Sequence, residues 1–450
     1  MFDVTRTINS SASEAVYREA LKHSSLGVQG ANKFTGPYPI YFTRGQKARV
    51  WDADDNEYID IASCLGSNIL GHAQPELVAA LTATLRDEGM FIGNPTVKEV
   101  ELARVFCEII PCADEVYFTG GGGSDPIFFA IRGAKALTGR RKILKHEGSY
   151  HGWTDPVLMS VLPDPKLAGP ADAPVPVPDS LGIPQDVVDS TLVTTANDEA
   201  MLERVVTRHK DEIAAIIVEP IMHSMGVVPL KPGYLRLLRQ LCDTHRIVLI
   251  FDEILTGFRH HLGGAQALLG VTPDLAIFGK ALTNGHAIMA ALAGRREFMR
   301  LFPEKAKVTG TFIASLFGVT AALKTIEILR RDSGAFYRHV YRLGDMAREG
   351  LNQAAQDTGV NVRCHSLGST WCLYPTTAEI HNYRDLLASV DYDRARAFAT
   401  GYRTWLLNHG IFSMQGRVRA HLTAAHTEAD IERIIDVSRK FFMEFRSELK

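Results

Sequence analysis

The chain reads as an α/β protein with a mostly parallel sheet, and three stretches carry that expectation. Val248-Leu249-Ile250-Phe251 is an apolar run closed by Asp252 and Glu253. Pro273-Asp274-Leu275-Ala276-Ile277-Phe278-Gly279-Lys280-Ala281-Leu282 is a second buried-strand stretch, and it runs straight into a lysine. Glu115–Thr119 is a strand pattern leading into Gly120 to Gly123 and then a helical pattern to about Leu137. Short apolar runs alternating with helical segments mark buried parallel strands. Charged groups at the ends of such strands face the edge of the sheet where open α/β folds bind ligands.

The 450 residues carry a formal net charge of −2 and are 46% hydrophobic, enough for a large α/β domain and a smaller one. With no basic block, the charge argues against a nucleic-acid partner. The six cysteines are scattered without a CxxC pair, which points to reduced thiols and no metal set. The N-terminal MFDVTRTINS has no apolar signal region, and no run approaches the roughly 20 apolar residues of a membrane helix. The expectation is a cytoplasmic protein with no membrane partner.

In chain order, Ser10 to about His23 is expected to be a helix capped by Ser10, Ser11 or Ser13. A glycine-rich loop, 27–33, leads to strands at Ile40–Phe42, Arg49–Asp52 and Tyr58–Ile61, a meander rather than a β-α-β unit. His72 sits in a loop before a helix from about Pro75 to Glu88; its reading is structural rather than catalytic. A helix at about Val97–Ile110 precedes the glycine element. Lys142–Lys145 is a short strand leading to Glu147-Gly148-Ser149-Tyr150-His151-Gly152-Trp153. Residues 160–190, rich in Pro, Asp and Ala, form a surface excursion. Helix Glu199–Lys210, strand 214–218 ending in Glu219, and a helix from Pro232 to about His245 restore the α/β rhythm. After Lys280 come a strand at Ile288–Ala293, a small-residue loop Thr309–Phe312 and a helix at about Phe317–Arg331. The rhythm then changes to helix 334–356, strands near 361–364 and 369–374, helix 384–408 and a last helix from Glu428 to about Glu448. The expected division is 1–65 and 331–450 in a smaller α+β domain and 66–330 in the large one.

Lys280 follows Asp252 by 28 residues, room for one helix between neighbouring strands, so both side chains can reach one pocket. A buried lysine beside a buried acid is costly unless chemistry uses it. Pyridoxal phosphate needs this pair: a lysine for its Schiff base and an acid beside its pyridinium nitrogen. The turn Gly120–Gly123 with Ser124, entering a helix, suits a phosphate, because amide N–H groups and the helix dipole point at the anion. Tyr150 is an aromatic that stacks on a planar cofactor or is simply packed.

The segments YFTRGQKARVWDADDNEYID, LGHAQPELVAAL, VEPIMHSMGVVPLKPGYLRLLR, FDEILTGFR, GGAQALLGVTPDLAIFGKAL and TGTF resemble, as a set, the class-III aminotransferase family of fold-type-I pyridoxal-phosphate enzymes. The glutamate-1-semialdehyde aminomutase-like branch is the most similar, over about residues 27–440. The resemblance implies a large domain with a seven-stranded-type sheet and a small domain made from both termini. It implies Lys280 as the Schiff-base lysine, Asp252 as the acid at the ring nitrogen, and Gly122, Gly123 and Ser124 as the phosphate loop. Tyr150 corresponds to the stacked aromatic, Glu219 to a pocket glutamate near the cofactor's 3-hydroxyl, and Thr311 to the threonine reaching the neighbouring subunit's phosphate. A homodimer with shared sites follows from the same resemblance.

Departures bear on the substrate. The family loop usually reads Ser-Gly-Thr/Ser-Glu, where this chain has Gly122-Gly123-Ser124-Asp125. The mutases receive the substrate carboxylate on an arginine; the matching residue here is Lys33, which lacks the bidentate fork. Arg419 lies near a carboxylate-binding arginine of related transaminases and is equally well read as solvated. The expected reaction is amino transfer from an amino acid or amine donor to a carbonyl acceptor. The alternatives are a 2,1-amino shift, racemisation, or a scaffold that keeps the fold without activity.

Overall fold

The computed structural model describes residues 2–414 and 416–450. Its strands in chain order begin with β1 (Phe42–Gln46), β2 (Arg49–Asp52), β3 (Glu57–Asp60), β4 (Glu115–Thr119), β5 (Lys142–His146) and β6 (Thr191–Thr194). Next come β7 (Ile213–Val218), the hairpin strands β8 (Ile221–Met222) and β9 (Val228–Pro229), β10 (Val248–Asp252), β11 (Leu275–Phe278) and β12 (Ala290–Gly294). The last four are β13 (Arg363–Leu367), β14 (Thr370–Tyr374), β15 (Ile411–Phe412) and β16 (Val418–His421).

The described residues fall into two compact units. One gathers Met1–Pro75, Phe336–Ala378 and Ser389–Lys450; the other gathers Glu76–Ala335 and Glu379–Ala388. The second unit holds the seven-stranded sheet, in the order β4-β12-β11-β10-β7-β5-β6. β6, β5, β7, β10 and β11 run parallel, and β12 runs antiparallel to both β11 and β4. The protein therefore has the α/β, fold-type-I architecture that its sequence predicts.

Every residue of β7, β10, β11 and β12 is buried, which explains their unbroken apolar sequences. The helix Ser124–Thr138 lays Ile127, Ala130, Ile131 and Ala134 on this sheet, at the spacing of one helical face. They pack in one core with Ile217, Ile250, Ile277 and Leu292, each large side chain contributing about 1.5–3 kcal/mol. That packing fixes where the glycine turn ahead of the helix sits.

In the first unit, β1, β2 and β3 form the meander, and β15 adds parallel to β3. β13, β14 and β16 make a second small antiparallel sheet. The helix Ser11–Ala20 is shorter than expected and no serine caps it. Asp54 accepts hydrogen bonds from the Ala12 and Ser13 amides, at 2.9 and 3.1 Å, so the cap comes from a remote carboxylate. The single helix expected over 384–408 is two, Tyr383–Ser389 and Tyr392–Asn408. Asp391 ends the first by capping the second, accepting from the Arg394 amide at 2.9 Å. β6, β15 and β16 were not anticipated; two to four residues leave too little alternation to read.

Gly344 lies inside the helix Ala335–Thr358, where a Cβ would come within 1.8 Å of the Gly368 carbonyl oxygen. Gly344→Ala should therefore destabilise the protein by about 2 kcal/mol or more, despite the roughly 1 kcal/mol helix-propensity gain. Urea unfolding midpoints check this, and an unchanged or raised midpoint contradicts the close approach.

Candidate active site

β4, β5, β7, β10 and β11 all point the same way, and the residues singled out from the sequence follow their C-terminal ends. The register of β10 and β11 pairs Asp252 with Ile277, so Lys280 lies three residues beyond Asp252's partner, off the same end of the neighbouring strand. The two groups share one edge of one sheet.

Asp252 is 5% exposed, and both its oxygens are engaged. Oδ1 accepts from the Ile254 amide at 3.0 Å, and Oδ2 lies 2.8 Å from His151 Nδ1. His151 is fully buried, with no partner for Nε2 among the described residues. The 2.8 Å separation fits Nδ1–H donating to the carboxylate. His151 stands in the quoted segment between Tyr150 and Gly152 but was given no role from sequence. A histidine flanked by an aromatic and a glycine at a strand end was the available signal.

The next acid along the chain, Glu253, is also buried, and its oxygens accept from the Ala265 and Gln266 amides, Gln266 Nε2 and the Thr256 hydroxyl. These bonds tie it to the start of the helix Gly264–Leu269, a structural task. His72 lies in the first unit with Nε2 2.8 Å from Asp60 Oδ2, in keeping with its structural reading.

The turn after β5 joins the other strand ends. The Tyr150 amide donates to Glu219 Oε1 at 3.0 Å, and the Ser224 amide donates to Glu219 Oε2 at 3.1 Å. The Trp153 amide donates to Ser124 Oγ at 3.2 Å, and a Cβ on Gly152 would come within 2.3 Å of that hydroxyl. Burial and, next, the Asp252 carboxylate push the Tyr150 phenol up from its ordinary pKa. Tyr150 thus sits within electrostatic reach of Asp252, with 44% of its surface exposed.

The glycines divide by task. A Cβ on Gly120 would strike the Phe312 backbone within 2.4 Å, and one on Gly121 would strike the Asp125 carboxylate within 1.9 Å. A Cβ on Gly123 would meet Ile254 Cδ1 at 2.5 Å, and one on Gly279 would meet the same atom at 3.0 Å. Ile254 therefore joins the glycine turn, the residue before Lys280 and the loop from Asp252. Beside Gly122, no described atom lies within 4 Å of an added Cβ. The open side of the turn is at Gly122, ahead of the 15-residue helix Ser124–Thr138.

Lys280 itself has φ +42°, directly after extended Gly279, and begins a short 3-10 turn to Thr283. A non-glycine residue there is uncommon and persists where its surroundings over-determine it. Thr311 is exposed, and its neighbour Phe312 lies against Gly120. Lys33, exposed at the end of the turn Ala31–Lys33, and Arg419, on β16 opposite Cys372, belong to the first unit.

These residues fit the group that the resemblance implies. Gly122 and Ser124 offer an open, glycine-lined turn at a helix N-terminus for a phosphate. Asp252 offers a braced acid, and Lys280 offers an amine from the adjacent strand end.

A second lysine is better hidden. Lys145 on β5 is fully buried and donates to the Ser149 carbonyl, at 2.9 Å, and to the Met159 carbonyl. Burial pulls its pKa down to about 8, against smaller opposing effects of Asp179, Glu219 and Glu147. It braces the turn that carries Tyr150 and His151.

The aminotransferase class-III family model matches residues 31–372. Glutamate-1-semialdehyde 2,1-aminomutase 2 of Brevibacillus brevis is 35% identical over 437 residues, 96% of this chain and 98% of that one. An omega-transaminase from Sphaerobacter thermophilus has a crystal structure matching with TM-score 0.90 and 30% identity, covering 97% of this chain and 98% of that one. A transaminase with PLP bound matches with TM-score 0.86 and 28% identity, over 98% of this chain and all of that one.

Because Lys145 has a lowered folded pKa, the unfolded chain holds its proton to higher pH. Its contribution to stability should rise between about pH 8 and the usual lysine range, and its desolvation cost should be fully present below pH 8. The melting-temperature difference between wild type and Lys145→Met should therefore move in favour of wild type from pH 7 to 9.5. A pH-independent difference contradicts the depressed amine.

Proposed function

We propose that this chain, which belongs to the class-III aminotransferase family, moves an amino group from an amine or amino acid donor to a carbonyl acceptor. Its cofactor is pyridoxal 5'-phosphate. The observation that carries the reading is the shared sheet edge of Asp252 and Lys280, with His151 behind the acid.

Bound pyridoxal phosphate supplies an electrophilic carbon and a ring that takes up negative charge from the substrate. In the proposed site, Lys280 Nζ would hold the cofactor and would take and return the proton at the substrate carbon. Asp252, held by His151 Nδ1, keeps a proton on the ring nitrogen. The amides of Gly122 and Gly123 and the Ser124 hydroxyl bind the phosphate. Tyr150 would cover the ring, and Glu219, which fixes Tyr150 through its amide, would serve the cofactor's 3-hydroxyl.

A homodimer is part of the proposal. Met90, Phe91, Ile288 and Phe312 expose large apolar surface on the second unit, and Thr311 is exposed beside Phe312. Such surface is expected where a partner covers it, and it would bring Thr311 to the partner's phosphate. Lys33 and Arg419 are the proposed carboxylate contacts.

An intramolecular amino shift is the second reading, favoured by the aminomutase names of the sequence relatives. Lys33 in place of the mutase arginine weighs toward transfer. Turnover with and without a keto acid separates the two: a transaminase stops after one equivalent of donor, whereas a mutase continues. Asp252→Asn should lower kcat by about 10²–10⁴-fold while leaving the fold intact. A variant with near wild-type kcat contradicts the acid's role.

A further inference from the structure

The first unit contains a cavity of about 200 Å³ bordered by two arginines. Arg6 lies 4.8 Å over the Tyr38 ring and spends Nη2 on the carbonyls of Tyr38 and Gly36, at 2.8 and 3.3 Å. Its Nε and Nη1 are buried without a hydrogen-bond partner among the described residues. Arg403, on the helix Tyr392–Asn408, donates to the Gly416 carbonyl and, at 3.4 Å, to Thr400 Oγ1. Burial lowers the pKa of both guanidinium groups, and no carboxylate is among the influences on either.

The remaining lining has two characters. Thr35, Thr400, Thr404 and Ser413 bring hydroxyls, and Ser413 Oγ is buried with no partner among the described residues. Phe34, Ile40, Leu407 and Phe412 bring apolar surface, and no acid lines the cavity among the described residues. Two guanidinium groups bordering one partly apolar space, with no carboxylate among its described lining, leave an uncompensated positive charge. A carboxylate matches the arginine fork, and an apolar body matches the walls.

We propose that this cavity is a binding site for a small organic carboxylate, with Arg6 and Arg403 taking the charge and the phenylalanines taking the apolar body. Its walls run into both segments that carry the candidate substrate contacts. Phe34 follows Lys33 directly, and Gly416, held by Arg403, lies three residues before Arg419. An occupant would order those segments while remaining separate from the donor, whose carboxylate goes to Lys33 and Arg419. Binding at the cavity does not depend on the amino-transfer reading; only the consequence for Lys33 and Arg419 rests on it.

Calorimetric titration of the holoenzyme with benzoate, and with neutral benzamide as control, tests the site. Benzoate should bind at least about tenfold more tightly than benzamide, and Arg6→Met and Arg403→Met should each weaken it by about tenfold or more. Thr404→Leu, which narrows the cavity and keeps both charges, should also weaken benzoate, and it decides the matter if an arginine variant misfolds. Lys280→Ala should bind benzoate as wild type does. Mixed inhibition of turnover by benzoate upholds a separate site; pure competition with the donor places benzoate on the donor's own contacts and overturns it. Undetectable benzoate binding, equal affinity for benzamide, wild-type affinity in the arginine and Thr404 variants, or loss of binding in Lys280→Ala overturns it.

Discussion

A carboxylate almost cut off from water must have hydrogen-bond partners, and the organisation of the second unit follows from how they are supplied. Burying an ion without partners is prohibitive. Asp252 has two: the Ile254 amide and the His151 imidazole. The first comes from its own chain just beyond β10, and the second comes from the turn after β5. That turn is in turn bound to β7 through Glu219 and to the glycine element through Ser124. The acid is thus the node at which four strand ends become one rigid surface.

Packing completes what the hydrogen bonds begin. Ile254 lies against both Gly123 and Gly279, so the glycine turn and the entry to Lys280 are spaced by a single side chain. A larger residue at either glycine would push on Ile254 and so on the backbone that holds Asp252. The positive φ of Lys280 sits in the same packed corner, where a fold stable elsewhere can hold an uncommon backbone conformation. Lys145, buried beneath the adjoining turn, shows how far such bracing reaches: its amine serves two carbonyls and gives up part of its basicity.

Most of this sheet was legible because its strands are buried on both faces and therefore spelled in continuous apolar residues. β4 has the bounds that its sequence suggests, and the starts of β5, β7, β10 and β11 lie within a residue or two of theirs. The shared edge of Asp252 and Lys280 was legible too, because parallel strands linked by helices put their C-terminal ends together. The brace on Asp252 was not, since nothing in a linear sequence pairs His151 with a carboxylate 101 residues away. Nor was the separation of Glu253 from Asp252, because adjacent residues on a strand face opposite ways and only the surroundings tell which carboxylate is spent on amides. Short edge strands such as β6 and β15 escaped because they carry too few residues to show a period. In 384–408, one capping aspartate, Asp391, outweighed an otherwise continuous helical pattern.

Two lysines in the second unit have unusual settings, and the central claim is that Lys280 rather than Lys145 holds the cofactor. Borohydride reduction of the pyridoxal-phosphate-loaded protein, followed by proteolysis and peptide mass spectrometry, tests this directly. The cofactor's mass should be fixed on the peptide bearing Lys280, in near-stoichiometric yield. Its appearance on the peptide bearing Lys145, or spread over surface lysines, would contradict the account.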